Sequence, residues 1–443
     1  MSERLSLSKF LSASSVALFM RALAACVAFL MNVFVTRMLG PHEAGLFFLG
    51  QTFLLLLAAV SRFGTDLLVV RLVSVACDRE NAPGANGVVF NAGFVTMSLA
   101  AALALACYQA SEWLAIRCFE EPAFAATLRA VAIGIVPLAM FQFLGFALQG
   151  RHQIAWSVAV GTAFFPALLL FGAQFGVALG IDNAAGMTAL AAAAAVVNAL
   201  IGGFLWMKRA PLKIDFSIIT LGALIASSIP MFQSALMILS NTWLPHLVLG
   251  AYAEPEQVAM LSNAHKTASL VGFILLAITS AAAPTYAAMY GRNDSEGLRQ
   301  FVARVNGVVV VATAPLLFVM FAFSSQILSV FGEPFADAVW LLRVLVVGQF
   351  VNAATGGVAF LLVMSGHERS FRNATALSGI IGIVLAFVLI PRYEAMGAAI
   401  TLTSVMALSN VFAAIQVNYH LKLNVLNPDF RFMYDYLLKL AKR

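Results

Sequence analysis

Phe119-Glu120-Glu121-Pro122-Ala123-Phe124 returns in altered form as Phe331-Gly332-Glu333-Pro334-Phe335-Ala336, with Arg129 following the first copy and Arg343 the second. Three further pairs stand in the same order at almost the same offset, about half the chain. Gln149-Gly150-Arg151-His152-Gln153 is matched by Ser365-Gly366-His367-Glu368-Arg369. Ala185-Gly186-Met187 leading to Asn198 is matched by Met396-Gly397-Ala398 leading to Asn410, and Met38-Leu39-Gly40 by Val248-Leu249-Gly250. The chain therefore reads as a duplication. Around these markers lie long apolar blocks parted by short polar stretches. Of the 443 residues, 62 % are hydrophobic and 10 % charged, against ~25 % charged in a soluble domain. A soluble enzyme, a disordered chain and a disulfide scaffold are excluded, and a polytopic α-helical membrane protein remains.

Spans are expected at Leu11–Thr36, Leu46–Val70, Gly87–Ala110, Phe124–Leu148, Ile154–Gly180, Met187–Met207, Leu221–Gly250, Met260–Met289, Val302–Phe323, Asp337–Met364, Ala374–Ile390 and Gly397–Tyr419. That is about twelve transmembrane helices in two six-helix lobes. An even number of spans per copy makes the repeat a parallel one, the design of many alternating-access transporters. The expected organisation is an N-terminal lobe over 1–207, a connector over 208–216, a C-terminal lobe over 217–420 and an amphipathic basic tail over 421–443. Basic residues gather in alternate loops (Arg71, Arg79, Arg151, Lys208, Arg209, Lys213, Arg292, Arg299, Arg369 and Arg372), while the opposite loops hold Glu112, Glu120, Glu121, Glu254, Glu256 and Glu333. This bias places both termini in the cytoplasm. The net charge of +6 then belongs to loops facing anionic lipid, not to nucleic-acid binding. Cys26, Cys77, Cys107 and Cys118 match no zinc or redox spacing and read as small hydrophobes.

No phosphate-binding loop, zinc-protease or nucleophile-elbow motif occurs, so the chain reads as no enzyme, with no cofactor or metal. Ionisable groups within spans cost ~2.5–3.5 kcal/mol each on insertion scales, which makes them functional candidates. Arg21 lies within the first span on a stripe with Ala25, Ala28, Asn32 and Thr36, a stripe that suits either a cavity wall or a helix-packing seam. Arg62 and Asp66 lie one turn apart in the second, either as a self-neutralising pair or as an arginine held toward a cavity. Arg37, Arg71 and Lys266 border spans, and Asp66 and His265 are the candidates for proton or sodium coupling. Pro230 is expected to kink the seventh span. The cationic excess suits an anionic substrate, because a guanidinium fork matches phosphate bidentately.

Thr36-Arg37-Met38-Leu39-Gly40-Pro41-His42-Glu43-Ala44-Gly45-Leu46-Phe47 resembles the first-loop signature of the O-antigen and exopolysaccharide flippases. These belong to the multidrug/oligosaccharidyl-lipid/polysaccharide exporter superfamily, whose fold is MATE-like. Phe63-Gly64-Thr65-Asp66-Leu67-Leu68-Val69-Val70-Arg71 resembles the end of that family's second helix. Pro245 and His246 stand where the family often has an Asp-Arg pair. The resemblance implies translocation of an undecaprenyl-pyrophosphate-linked oligosaccharide across the bacterial inner membrane, with the polymerase and glycosyltransferases of the same pathway as partners. Arg21 and Arg62 would meet the pyrophosphate, flanked by Arg37 and Arg71. The competing expectation is a proton- or sodium-coupled multidrug antiporter on the same fold.

Overall fold

The computed structural model describes residues 7–178, 180–208 and 213–426, with side chains from residue 20 onward. Among the described residues every regular element is helical, because an apolar segment in lipid must satisfy its own backbone hydrogen bonds. The helices are α1 (Leu7–Ser61), α2 (Thr65–Asp78), α3 (Ala82–Arg117), α4 (Phe124–Gly150), α5 (Ile154–Val158), α6 (Phe164–Ala178) and α7 (Ala184–Met207). They continue with α8 (Leu221–Tyr252), α9 (Pro255–Ala268), α10 (Leu270–Gly291), α11 (Ser295–Ala322), α12 (Ser324–Ser329), α13 (Val339–Thr355), α14 (Val358–Met364) and α15 (Glu368–Leu421). Ten helical segments among them are long and apolar enough to cross a membrane. Two of these, α1 and α15, are each a pair of spans joined through one non-helical residue, Gly40 (φ 74°) and Glu394 (φ 49°). Counted by arms, the spans number twelve, as the hydropathy pattern requires.

Several spans are interrupted where hydropathy alone shows nothing. The second breaks at Arg62–Gly64, with Phe63 and Gly64 both at positive φ. The tenth breaks at Gly356 (φ 66°), where a methyl group would overlap the Asn306 side chain. In the fifth, α5 and α6 are joined by a π turn, Ala159–Ala163, and the amide of Asn198 donates to the Val160 carbonyl in that turn at 2.9 Å. Pro230, by contrast, leaves α8 uninterrupted. Proline removes the N–H that would reach the Ala226 carbonyl, a loss that is tolerated within a span; Ser234 separately donates to the carbonyl of Pro230 itself at 3.1 Å.

The chain divides into two compact units, Met1–Leu239 with Leu249–Ala259, and Ser240–Val248 with Met260–Arg443. The division falls within α8 and α9. In the first unit α4 is the central helix, packed on α1, α2, α3 and α7. Small residues let the backbones approach closely: a methyl on Gly145 would stand 3.1 Å from the Gly161 backbone, and one on Gly202 3.0 Å from Val160. Beyond the connector residues 209–212, which lie outside the described set, the chain is strapped along α3. Asn86 donates to the Lys213 carbonyl at 3.0 Å, Asn91 to that of Ile219 at 3.1 Å, and the Asp215 N–H to Pro83 at 3.0 Å. The hydroxyl and backbone N–H of Ser217 hold the Asp215 carboxyl below its ordinary range. In the second unit α13 packs on α11 and α15, and α10 on α11 and α14. The amphipathic tail expected from 421 onward lies, past 426, outside the described residues.

The repeated sequences occupy matching turns. In the first copy, Phe119 and Phe124 pack edge-on at 5.3 Å and both meet Phe53. In the second, Phe331 and Phe335 pair at 6.5 Å, and both are buried. The basic residues that follow serve these turns. Arg129 pairs with Glu112, while Arg343 donates to the Phe321 carbonyl at 3.2 Å and lies over the Trp340 ring.

Candidate functional site

The turn between the arms of α1 shows what its signature residues do. Gly40 supplies the left-handed backbone that reverses the chain, and Pro41 begins the second arm. Glu43 accepts a hydrogen bond from the Ala184 N–H at 2.6 Å, placing a carboxylate at the N-terminus of α7, where the helix dipole favours it. His42 lies 3.0 Å from Glu256 and 3.9 Å from Glu121. Gly45 faces the Pro255 carbonyl so closely that any side chain would overlap it, and Gly250 faces Leu49 in the same way. These glycines are close-approach positions.

Arg21 and Arg62 lie 19 and 22 residues from Gly40 along the two arms, roughly 28 and 33 Å at 1.5 Å per residue. In a chain whose arms cross the membrane in opposite senses, the two guanidinium groups therefore stand at a similar level, far from the Gly40 turn.

Arg62 closes the helical part of the second arm, at the break made by Phe63 and Gly64. Ser61 and Thr65 turn their hydroxyls to the backbone here, donating to Leu57 and Arg62 at 2.6 and 2.7 Å. The side chain of Arg62 is 12 % exposed. Its Nε donates to both Asp66 oxygens, at 2.9 and 3.0 Å. Its Nη1 donates to the Ala58 carbonyl at 3.3 Å and to Gln142 Oε1. Nη2 has no protein partner among the described residues. The pairing expected from the one-turn spacing is thus present. It fixes one edge of the guanidinium and leaves the other with donors to offer. Gln142, from α4, is a member of the site that sequence reasoning missed; its only signal is one amide in an otherwise apolar stretch.

The other candidates divide. Arg21 is half-buried and makes no hydrogen bond or ion pair among the described residues. The stripe below it is a packing seam at its far end: Ala25, Asn32 and Thr36 are buried, and the Asn32 amide donates to the Ala28 carbonyl of its own helix at 2.8 Å. Arg37 and Arg71 are exposed. In the second unit Lys266 is half-buried, and beside it the His265 ring stands 3.4 Å from that of His246 through Nδ1 and Nε2. His246, one of the two residues standing where the family often has an Asp-Arg pair, is 3 % exposed; its approach to His265 was not expected from the sequence. Next to this pair a cavity of about 210 Å³ is lined by His265, Gln349, Ser409 and Asn410 among others. Asp66 and His265, the coupling candidates, belong to separate units. No cluster of three or more potential metal-ligating side chains exists among the described residues.

Residues 11–289 match a family described as polysaccharide biosynthesis protein, and residues 230–388 match the family named MatE. No curated protein matches the sequence. Among solved structures the fold is similar to an inward-facing multidrug resistance MATE-family transporter of the MOP superfamily. The TM-score is 0.76 and the identity 15 %, over 92 % of this chain and 98 % of that one. It is also similar to the lipid II flippase MurJ in an inward closed conformation, with TM-score 0.71 and 14 % identity over 91 % and 87 % of the two chains. A MOP-superfamily transporter from Pyrococcus furiosus, described by the reverse polarity of its binding pocket, gives 0.64 and 16 % over 93 % and 95 %. At such identities the likeness establishes the fold. The first family match covers well over half of the chain, and with twelve spans in a MATE-like arrangement the protein belongs to the polysaccharide biosynthesis protein family, as a multi-pass membrane transporter and not an enzyme.

Proposed function

We propose that the protein is a flippase for a polyprenyl-pyrophosphate-linked oligosaccharide, moving it across the bacterial inner membrane from the cytoplasmic leaflet, with both termini in the cytoplasm and the glycan destined for polysaccharide assembly. The observation that carries this reading is Arg62: a largely buried guanidinium, fixed along one edge by Asp66 and Gln142, with Nη2 lacking a protein partner among the described residues. A guanidinium with donors left over suits an anion, and a pyrophosphate oxygen accepts the charge-assisted hydrogen bonds it offers. Arg21, at a similar level along the other arm and without a described partner, adds a second positive charge. Arg37, Arg71 and Lys266 extend the basic character of the route. The family match supports a polysaccharide pathway, whose polymerase and glycosyltransferases are the expected partners.

A cation-coupled drug antiporter on the same fold is the second reading, favoured by the MATE-type neighbours. In a site for a cationic drug a carboxylate should be offered to the substrate, and Asp66 is already engaged by Arg62. Reconstitution separates the two. Proteoliposomes containing the protein should expose a polyprenyl-pyrophosphate oligosaccharide to an external glycosidase faster than empty liposomes, and should not move an organic cation down an imposed proton or sodium gradient. The reverse pair of results refutes the flippase reading.

A further inference from the structure

The second unit holds a polar cavity that the charge site of the first unit does not use. At about 210 Å³ it is smaller than the ~300–1,000 Å³ of sites for drug-sized ligands, and it has room for one hexose ring. Its walls carry Gln349, Ser409, Asn410, Thr403 and His265, over an apolar floor that includes Leu402 and Met406. No Asp, Glu, Lys or Arg lines it.

The chemistry of this wall lies in what is spent and what is left. Gln349 accepts from Asn352 at 3.4 Å through Oε1. Asn410 accepts from Thr355 at 3.3 Å through Oδ1 and donates to the Met406 carbonyl at 2.9 Å. Thr403 donates to the Val344 carbonyl at 3.0 Å. The Gln349 and Asn410 oxygens thus each accept one hydrogen bond already, while Asn241 Oδ1, also on this wall, is buried and has no partner among the described residues. Left without protein partners among the described residues are Gln349 Nε2, the Ser409 hydroxyl and His265 Nε2, since His265 Nδ1 faces His246. Gln349 is 4 % exposed, and Asn241 Oδ1 is buried without a partner among the described residues, a setting in which an unmade hydrogen bond is costly.

A wall of neutral amides and hydroxyls with no carboxylate among its described lining residues is poor at binding a metal or organic cation, while its free Asn241 oxygen can accept from a hydroxyl. A wall without a formal positive charge is equally poor at stabilising a buried anion. Free donors over an apolar floor suit a neutral, hydroxyl-rich ring, whose oxygens accept hydrogen bonds while its C–H face lies on hydrocarbon. We infer that this cavity is a sugar subsite, taking one uncharged pyranose of the carried head group through Gln349, Ser409 and His265. The inference rests on the glycan-lipid reading above and adds to it a separate, neutral point of recognition.

The test uses the full-length protein in nanodiscs and saturation-transfer NMR with a panel of methyl hexosides. At least one hexoside should receive saturation from the protein. Gln349→Leu and Ser409→Ala should each weaken its binding about three- to tenfold, the range for one lost hydrogen bond. Ser409→Trp, which fills the cavity, should abolish it, while circular dichroism and the thermal midpoint show that each variant remains folded. Absence of any hexoside signal, a signal unchanged by Ser409→Trp, or displacement of the hexoside by sodium ions overturns the inference. Inorganic pyrophosphate, followed by phosphorus NMR, reports separately on Arg62. Loss of pyrophosphate binding with hexoside binding retained counts against the pyrophosphate reading and leaves the sugar subsite standing.

Discussion

Arg62→Met, alone and combined with Asp66→Leu, separates a structural ion pair from a working one. The single change removes three described interactions, to Asp66, Ala58 and Gln142, and strands the Asp66 carboxylate in a largely apolar setting. Removing one partner of a buried pair typically costs 3–5 kcal/mol, because the remaining charge is left uncompensated. The side chains here retain 12 % and 24 % exposure, so the lower end applies, about 3 kcal/mol. The double change removes both charges and replaces them with apolar side chains that suit the surroundings. Such replacements are often neutral or stabilising, so most of the lost stability should return. Transport should not, because the anion-facing guanidinium is absent from both variants. Thermal unfolding in nanodiscs reads the stability, and flipping of a polyprenyl-pyrophosphate oligosaccharide in proteoliposomes reads the function. A double variant that is stable and flips its substrate at the parental rate would refute the reasoning and leave Arg62–Asp66 as a structural pair only.

Other outcomes follow from the same geometry. Arg21→Ala should insert and fold normally yet abolish export in a cell that depends on the transporter; normal export would remove Arg21 from the mechanism. Glu43→Ala should cost about 1 kcal/mol by uncapping α7 at Ala184, with Glu43→Gln intermediate, both read as shifts in thermal midpoint; equal stability in all three forms would show that the contact contributes nothing. Gly64→Ala should cost at least ~1–2 kcal/mol for its left-handed backbone, plus the overlap of the new methyl with the Ser228 carbonyl and the Phe232 backbone. Gly203→Ala, in a helix with open space around it, should be neutral or stabilise by roughly 0.5–1 kcal/mol, so comparison of the two midpoints checks the geometry.

Span number and identity were readable because hydropathy reports lipid contact directly, and lipid requires a helix. The duplicated turns were readable because each Phe-x-Glu-Pro or Phe-Glu-Glu-Pro stretch builds the same aromatic corner. The breaks at Gly64 and Gly356 were not, since each depends on a tertiary neighbour, Phe232 or Asn306, that meets the glycine only after folding. Pro230 leaves α8 one continuous helix, since a proline ring bends a helix without having to break it. At the site, the Arg62–Asp66 contact followed from the one-turn helical spacing. Gln142 did not, for it comes from a helix 80 residues away, and a lone amide in a span has no partner until the helices pack. Arg21 and Asn32 share a face, yet Arg21 is half-buried with no partner among the described residues while Asn32 lies in a buried packing seam, a distinction that hydropathy does not carry. The approach of His246 to His265 was not legible, because it depends on α8 and α9 meeting inside the second unit.

The flippase reading stands on recognition of a pyrophosphate by Arg62. Native mass spectrometry of the purified protein with undecaprenyl pyrophosphate, set beside the Arg62→Gln variant, tests it most directly. The parent protein should retain the lipid and the variant should bind it at least about tenfold more weakly, the loss of one charge-assisted contact. Equal retention of the lipid by both proteins would contradict it.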